Sequence, residues 1–183
     1  MVQNETKKIL LHACCAICSG YPINLLKEMG YSPIVYFYNP NLDSKEEFER
    51  RLEAQKKVCE EFSVELIIDS YNHNEYLDFI KGLEHEPEKG SRCDKCIELR
   101  LRKAGEKAKE LKISEFTTSL TISPHKNFAK IHSLGEKIAK DLNLVYPKMD
   151  FKKKDGFLKT NKLSKELNLY RQNYCGCEFA KTR

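Results

Sequence analysis

Short apolar runs alternating with helix-periodic segments constrain this chain more than any other feature. Residues 9–13 (Ile-Leu-Leu-His-Ala), 33–38 (Pro-Ile-Val-Tyr-Phe-Tyr) and 64–68 (Val-Glu-Leu-Ile-Ile) have strand length, and each ends at polar or cysteine-bearing sequence. Between the second and third runs, Phe48, Leu52, Gln55, Cys59 and Phe62 recur at steps of four and three, behind an Asp43 or Ser44 suited to capping a helix. Further helices are predicted over 93–111, with Ile97, Leu101, Ala104, Ala108 and Leu111 on the inner stripe, and over 130–142. Residues 115–118 and 144–146 read as a fourth and a fifth strand. This alternation predicts the α/β class, a three-layer parallel sheet. Such sheets place their sites beyond the strand C-terminal ends, so the segments after 9–13 and 115–118 are expected on one edge.

The rhythm stops near residue 148. Residues 148–183 carry ten Lys/Arg against four Asp/Glu, whereas residues 1–147 carry 22 against 23, and only 161–169 looks helical. The chain is expected to divide into an α/β domain over 1–147 and a basic flap over 148–183 that returns to the same edge. A localised positive excess suggests a polyanionic partner, nucleic acid first; a solvated lysine-rich surface is the alternative. No run approaches the roughly 20 apolar residues of a membrane span, and no signal peptide is recognisable. A cytoplasmic protein is therefore expected, in which thiols stay reduced.

Seven of the eight cysteines lie in three tight groups: Cys14, Cys15 and Cys18; Cys93 and Cys96; Cys175 and Cys177. Core packing gives cysteines no reason to cluster, whereas short spacers turn thiolates toward one centre, as zinc and iron–sulfur sites require. Disulfide scaffolding is disfavoured by the expected compartment and by the adjacent Cys14–Cys15 pair, which would bridge only with strain. Cys59 separates from the others, because it sits on the apolar stripe of its helix and is expected in the core. Zinc needs four thiolates and serves folds that require a staple. Seven thiols at the functional edge of an α/β sheet favour an iron–sulfur cluster, which takes about four, with others left for an additional iron or for chemistry.

The remaining candidates are less specific. His125, in the turn-rich 123–127, can reach the edge or simply be a surface residue. Lys152, Lys153 and Lys154 suit phosphate contact, which carries no base specificity. Tyr170, Arg171 and Tyr174, just before the last cysteines, suit phosphate contact and base stacking, or packing of the flap. A glycine-rich nucleotide loop with its lysine is absent from the sequence.

Several motifs in order carry a resemblance over nearly the whole chain: Leu11-His12-Ala13-Cys14-Cys15-Ala16-Ile17-Cys18, Tyr38-Asn39-Pro40-Asn41, and Arg92-Cys93-Asp94-Lys95-Cys96 with Arg100-Leu101. They continue in Thr117-Thr118-Ser119-Leu120, Ser123-Pro124-His125-Lys126-Asn127 and Tyr170-Arg171-Gln172-Asn173-Tyr174-Cys175-Gly176-Cys177. Together they resemble the cobalamin-independent epoxyqueuosine reductases. Ile17 stands where that family usually has proline, and His125 where it commonly has tyrosine. The resemblance implies a fold similar to the adenine nucleotide α-hydrolases without their nucleotide chemistry, and a 4Fe-4S cluster with no cobalamin. It also implies the last step of queuosine synthesis, reduction of an epoxide on the modified wobble base of tRNA to an alkene.

That chemistry needs two electrons from an external donor and two protons. Asp94, His125 and Tyr170 are the candidate catalytic side chains, Asp94 as an oxygen ligand or proton relay. The seven clustered cysteines are the candidate metal ligands, and their surplus over four leaves room for an additional iron. Two other readings stand beside this one: a sulfur-inserting iron–sulfur tRNA-modifying enzyme, and a zinc-stabilised RNA-binding module.

Overall fold

The first strand, β1 (Lys7–His12), is sealed on both sides: Ile9, Leu10, Leu11 and His12 are fully buried. Period-two alternation sends Ile9 and Leu11 into one apolar layer and Leu10 into the other. A run this apolar is what a strand covered on both faces requires. The computed structural model describes residues 6–180. Along the chain β1 is followed by α1 (Ala16–Glu28), β2 (Tyr31–Phe37), α2 (Lys45–Glu61), β3 (Leu66–Ile68), α3 (His73–Phe79), α4 (Ser91–Glu110) and β4 (Phe116–Thr118). A 3-10 turn (Ser119–Ile122), α5 (Phe128–Leu142), α6 (Gly156–Glu166) and a last 3-10 turn (Glu178–Ala180) complete it.

The four strands are all parallel, in the order β3-β2-β1-β4. Helices α1 and α2 join the strands to one side of β1 and share a core layer with Ile9, Leu11 and Val35. Helix α4, which leads back to β4 on the other side, packs with α5 over Leu10, Ile34 and Tyr36. The three-layer architecture expected from the sequence is present. Because the connections leave β1 in opposite directions, the topology switches between β1 and β4, where open α/β sheets leave a crevice.

Several local expectations need correction. Residues 144–146 form no strand, only a single parallel bridge between Glu115 and Val145, and Val145 is 51% exposed. Asn143 ends α5 in the left-handed conformation, and the Leu144 N–H donates to the Ala139 carbonyl, so this segment serves as a helix cap. Tyr146 then turns inward over Gly135, edge-on to Phe116 at 5.1 Å between ring centroids. Leu111 is not on a buried stripe: it is the residue after α4 and is 39% exposed. Helix α6 starts at Gly156, ahead of the predicted 161. Gly156 permits this, since a Cβ there would overlap the Phe151 carbonyl oxygen. Helix α3, capped by the Asn72 side chain, was not foreseen.

Residues 148–180 straddle the C-terminal edge of the sheet. Phe151 and Leu169 bury in the α1–α2 layer, while Cys177 and Phe179 join the α4–α5 layer. Lys181 and Arg183, part of the basic segment's charge, lie outside the described residues.

Candidate metal centre

The C-terminal ends of β1, β2 and β4 are pinned together by one buried side chain. The His12 imidazole lies 3.0 Å (Nε2) from the Tyr38 carbonyl and 2.9 Å (Nδ1) from the Thr118 hydroxyl. A carbonyl only accepts, so Nε2 carries the proton and Nδ1 accepts from Thr118. Burial, with Arg100 nearby, lowers the His12 pKa to about 4 and keeps the ring neutral. The Asn39 amide donates to the Ala13 carbonyl at 2.9 Å, fixing the turn that follows β1.

That turn carries the first cysteines. Cys15 is the N-cap residue of α1 in extended conformation, and the Cys18 N–H donates to its carbonyl at 3.1 Å. The Sγ atoms of Cys14, Cys15 and Cys18 all lie within 4.8 Å of one another, the one such group of ligand atoms among the described residues. The Cys14 thiol is held well below its ordinary value by hydrogen bonds from Cys15 and Cys18, with the Ser119 hydroxyl and Arg100 adding to the effect. The hydrogen bond to Cys14, with burial and the negative charge there adding to it, pushes Cys15 up to about 12, and hydrogen bonds to Cys14 and Cys15 together with burial hold Cys18 well above the usual thiol range. A metal ion among the three thiols would favour ionisation of all of them. The donor set therefore fits a thiolate-bound metal.

The other groups converge less tightly. Cys93 and Cys96 lie in the first turns of α4, and the Cys93 Sγ accepts from the Lys89 N–H at 3.3 Å. Burial raises the Cys96 thiol to about 11. Cys175 and Cys177 flank Gly176, whose φ of +102° and close approach to Leu42 and Arg51 exclude a side chain. The Cys175 Sγ is 3.9 Å from the Lys126 ammonium, and the Cys177 Sγ is 3.0 Å from the Tyr76 hydroxyl. All eight cysteines are free. Cys59 is core, as expected: it is 4% exposed, and burial raises its thiol pKa.

A cavity of about 410 Å³ opens at the switch point, and Cys14, Cys15, Cys18 and Cys175 all line it. Cys93 and Asp94 instead line an adjoining groove of about 740 Å³ between α4 and α5; His125 and Lys126 border both spaces. Cys96 and Cys177 line neither.

Arg100, on the inner stripe of α4, is part of a motif quoted above but was given no role in the site from the sequence. It is 3% exposed, lines the cavity, and its Nε donates to the Cys96 carbonyl at 3.3 Å. Among the described residues no carboxylate lies within ion-pair distance of it. Burial works against its charge, but the thiols of Cys96, Cys175 and Cys14 outweigh that and raise its pKa. A buried guanidinium needs a counter-anion, and this one faces a thiol-lined cavity. The signal was legible: an arginine four residues after Cys96, on a stripe otherwise apolar.

The remaining candidates divide. Asp94 pairs with Lys130 at 3.1 Å. The exposed His125 borders the cavity without a side-chain hydrogen bond among the described residues. The Tyr170 hydroxyl donates to Glu47, which pairs with buried Arg51; Arg51 in turn donates to the carbonyls of Tyr174 and Cys175. Tyr170 thus braces the Cys175 loop and does not line the cavity. Arg171 and Tyr174 do line it. Lys153 and Lys154 are exposed, but Lys152 turns inward and donates to the Lys126 carbonyl at 3.0 Å.

Fold and site together define an α/β protein with a metal-competent thiol cavity at the switch point of a parallel sheet. Among known proteins, a likeness of fold alone links it to the crystal structure of a predicted subunit of tRNA methyltransferase from Methanocaldococcus jannaschii. There the TM-score is 0.57 at 13% identity, over 87% of this chain and 75% of that one. The chain belongs to the QueH epoxyqueuosine reductase family, whose model matches residues 9–183. The epoxyqueuosine reductase QueH of Streptococcus pyogenes is 39% identical over 94% of this chain and 69% of its own length. That of Staphylococcus epidermidis is 38% identical over 96% and 77%, and that of Dehalococcoides mccartyi 34% over 94% and 92%. The chain is thus an oxidoreductase of the family its motifs resemble. Among the described residues no helix is long and apolar enough to cross a membrane.

Proposed function

We propose that this protein carries out the last step of queuosine formation in the cytoplasm. The epoxide on the cyclopentane ring of epoxyqueuosine, at the wobble position of tRNA, takes up two electrons and two protons and leaves as alkene and water. The observation that carries this reading is the Cys14–Cys15–Cys18 triad, its thiols within 4.8 Å of one another, opening into a cavity lined by the buried Arg100, which has no carboxylate partner among the described residues. Held by these thiolates, a 4Fe-4S cluster would supply the electrons one at a time from an external donor.

In this reading Cys14, Cys15 and Cys18 are the principal ligands, and Cys175, lining the same cavity, is the candidate fourth. Cys93, Cys96 and Cys177 remain for an additional iron, with Asp94 beside Cys93. Arg100 and Lys126 offset the anionic charge of the thiolates. His125 is the candidate best placed to deliver a proton, since it borders the cavity and is open to solvent. The α/β domain supplies five of the seven thiols and the basic flap the other two, and the flap holds the tRNA through Lys153, Lys154, Arg171 and Tyr174.

Two measurements test this. Anaerobic reconstitution followed by iron, sulfide and zinc analysis is expected to return about four iron and four sulfide per chain, and more iron if an additional iron is held. Stoichiometric zinc without sulfide would overturn the cluster. Mass spectrometry of tRNA nucleosides after incubation with reductant is expected to show epoxyqueuosine replaced by queuosine; persistence of the epoxide would overturn the reaction.

A further inference from the structure

The thiol cavity has an aromatic side chain at its mouth that neither the metal centre nor the proton and phosphate contacts employ. Phe157, in the first turn of α6, is 40% exposed and lines the cavity together with Cys14, Cys15 and Cys18. Folding normally hides such a ring, and among the described residues it stacks on no other aromatic side chain. The helix turn that carries it is anchored on both sides. Gly156 packs against the Phe151 carbonyl and the Tyr21 ring, closer than any side chain would permit. One turn on, the Thr160 hydroxyl donates at 2.5 Å to the carbonyl of Ile17, which lies between Cys15 and Cys18. The ring is thus tied through α6 to the turn that carries the thiols. The exposed Lys153 and Lys154 precede it in sequence.

We propose that Phe157 is the stacking platform for the reacting nucleobase. An exposed aromatic face beside lysines is the combination that holds unpaired nucleotides, the cations taking the backbone and the ring a base. Because the ring lines the cavity that holds the thiols, the base it receives is the one whose substituent enters that cavity. A planar deazapurine at the mouth leaves the cyclopentane ring extending inward toward Cys14, Cys15 and Cys18. This assignment rests on the tRNA-reductase reading and adds the residue that positions its substrate.

The experiment measures binding of the anaerobically reconstituted full chain to two anticodon stem-loops, one carrying epoxyqueuosine and one abasic at the wobble position. Phe157→Ala is expected to weaken binding of the modified loop about tenfold and to leave the abasic loop unaffected. Phe157→Trp should retain the affinity, and Phe157→Leu, which keeps bulk without a ring, should lose it. The salt dependence should be unchanged, since no phosphate contact is removed. Equal weakening on both loops, or none on the modified loop, would overturn the stack. Failure of the wild-type protein to reduce epoxyqueuosine in tRNA would instead overturn the reading on which it rests. Melting temperature checks the fold of each variant.

Discussion

Arg100 and Cys59 have contrasting relations to the site, and each supports a prediction. Arg100 is a buried cation whose neighbours are thiols, so it is compensated only when they are anionic. Arg100→Met, similar in volume, is expected to leave the melting temperature of metal-free protein unchanged or higher, because it removes a buried charge with no carboxylate partner among the described residues. Iron and sulfide retained after reconstitution should fall, and Arg100→Lys should recover part of them. A lower metal-free melting temperature with full iron would make Arg100 a purely structural residue. Cys59→Ala should do the reverse: cost about 1 kcal/mol from the missing sulfur and leave iron and sulfide unchanged. Burial raises the Cys59 thiol above its ordinary value of 9.0. Its contribution is therefore full below that pH and disappears as pH rises toward the folded-state value. The stability gap between wild type and Cys59→Ala, measured by denaturant titration, should narrow above about pH 9.

At the scale of elements, the short connections that deliver the thiols matter more than the helices they join. Gly176 sits at φ +102° against Leu42 and the buried Arg51 guanidinium. Gly176→Ala is expected to cost about 2–3 kcal/mol and to displace Cys175, seen as a lower melting temperature together with reduced iron retention. The Asn127 side chain caps α5 by accepting from the Lys130 N–H at 3.1 Å. Asn127→Ala should cost about 1 kcal/mol with no change in iron content, so the pair separates a strained connection at the site from an ordinary cap.

For the whole molecule, the two apolar layers on either face of the sheet contain most of the buried residues; of the seven clustered thiols they bury Cys96 and Cys177, with Cys14 and Cys18 packed at their margins. Removal of metal by an anaerobic chelator is therefore expected to lower the melting temperature by removing its binding energy while far-ultraviolet circular dichroism stays intact. Collapse of the helical signal would mark the metal as a structural staple. In the proposed reading the basic C-terminal segment acts at the same scale through its net field. Charge reversal of Lys153 and Lys154 should weaken tRNA binding and flatten its salt dependence by roughly one unit of slope for each phosphate that is no longer neutralised. Lys152→Glu should disturb the Lys126 loop instead, because its ammonium is engaged there.

The sequence by itself determined the α/β class, the parallel sheet, the core role of Cys59 and the family, because each rests on local periodicity or short ordered motifs. It also put the first cysteine group on the C-terminal edge, since that group follows directly from a strand. Only the tertiary structure decided which thiols share a cavity, because Cys175 is brought into the cavity that Cys14 lines by packing between the two ends of the chain, which leaves no periodic trace. The same holds for the inward turn of Lys152 and the bracing role of Tyr170, each set by a partner remote in sequence. Arg100 lies between the two. Its place on an apolar stripe was visible in the sequence, but its meaning came from the three thiol groups that the fold gathers around it.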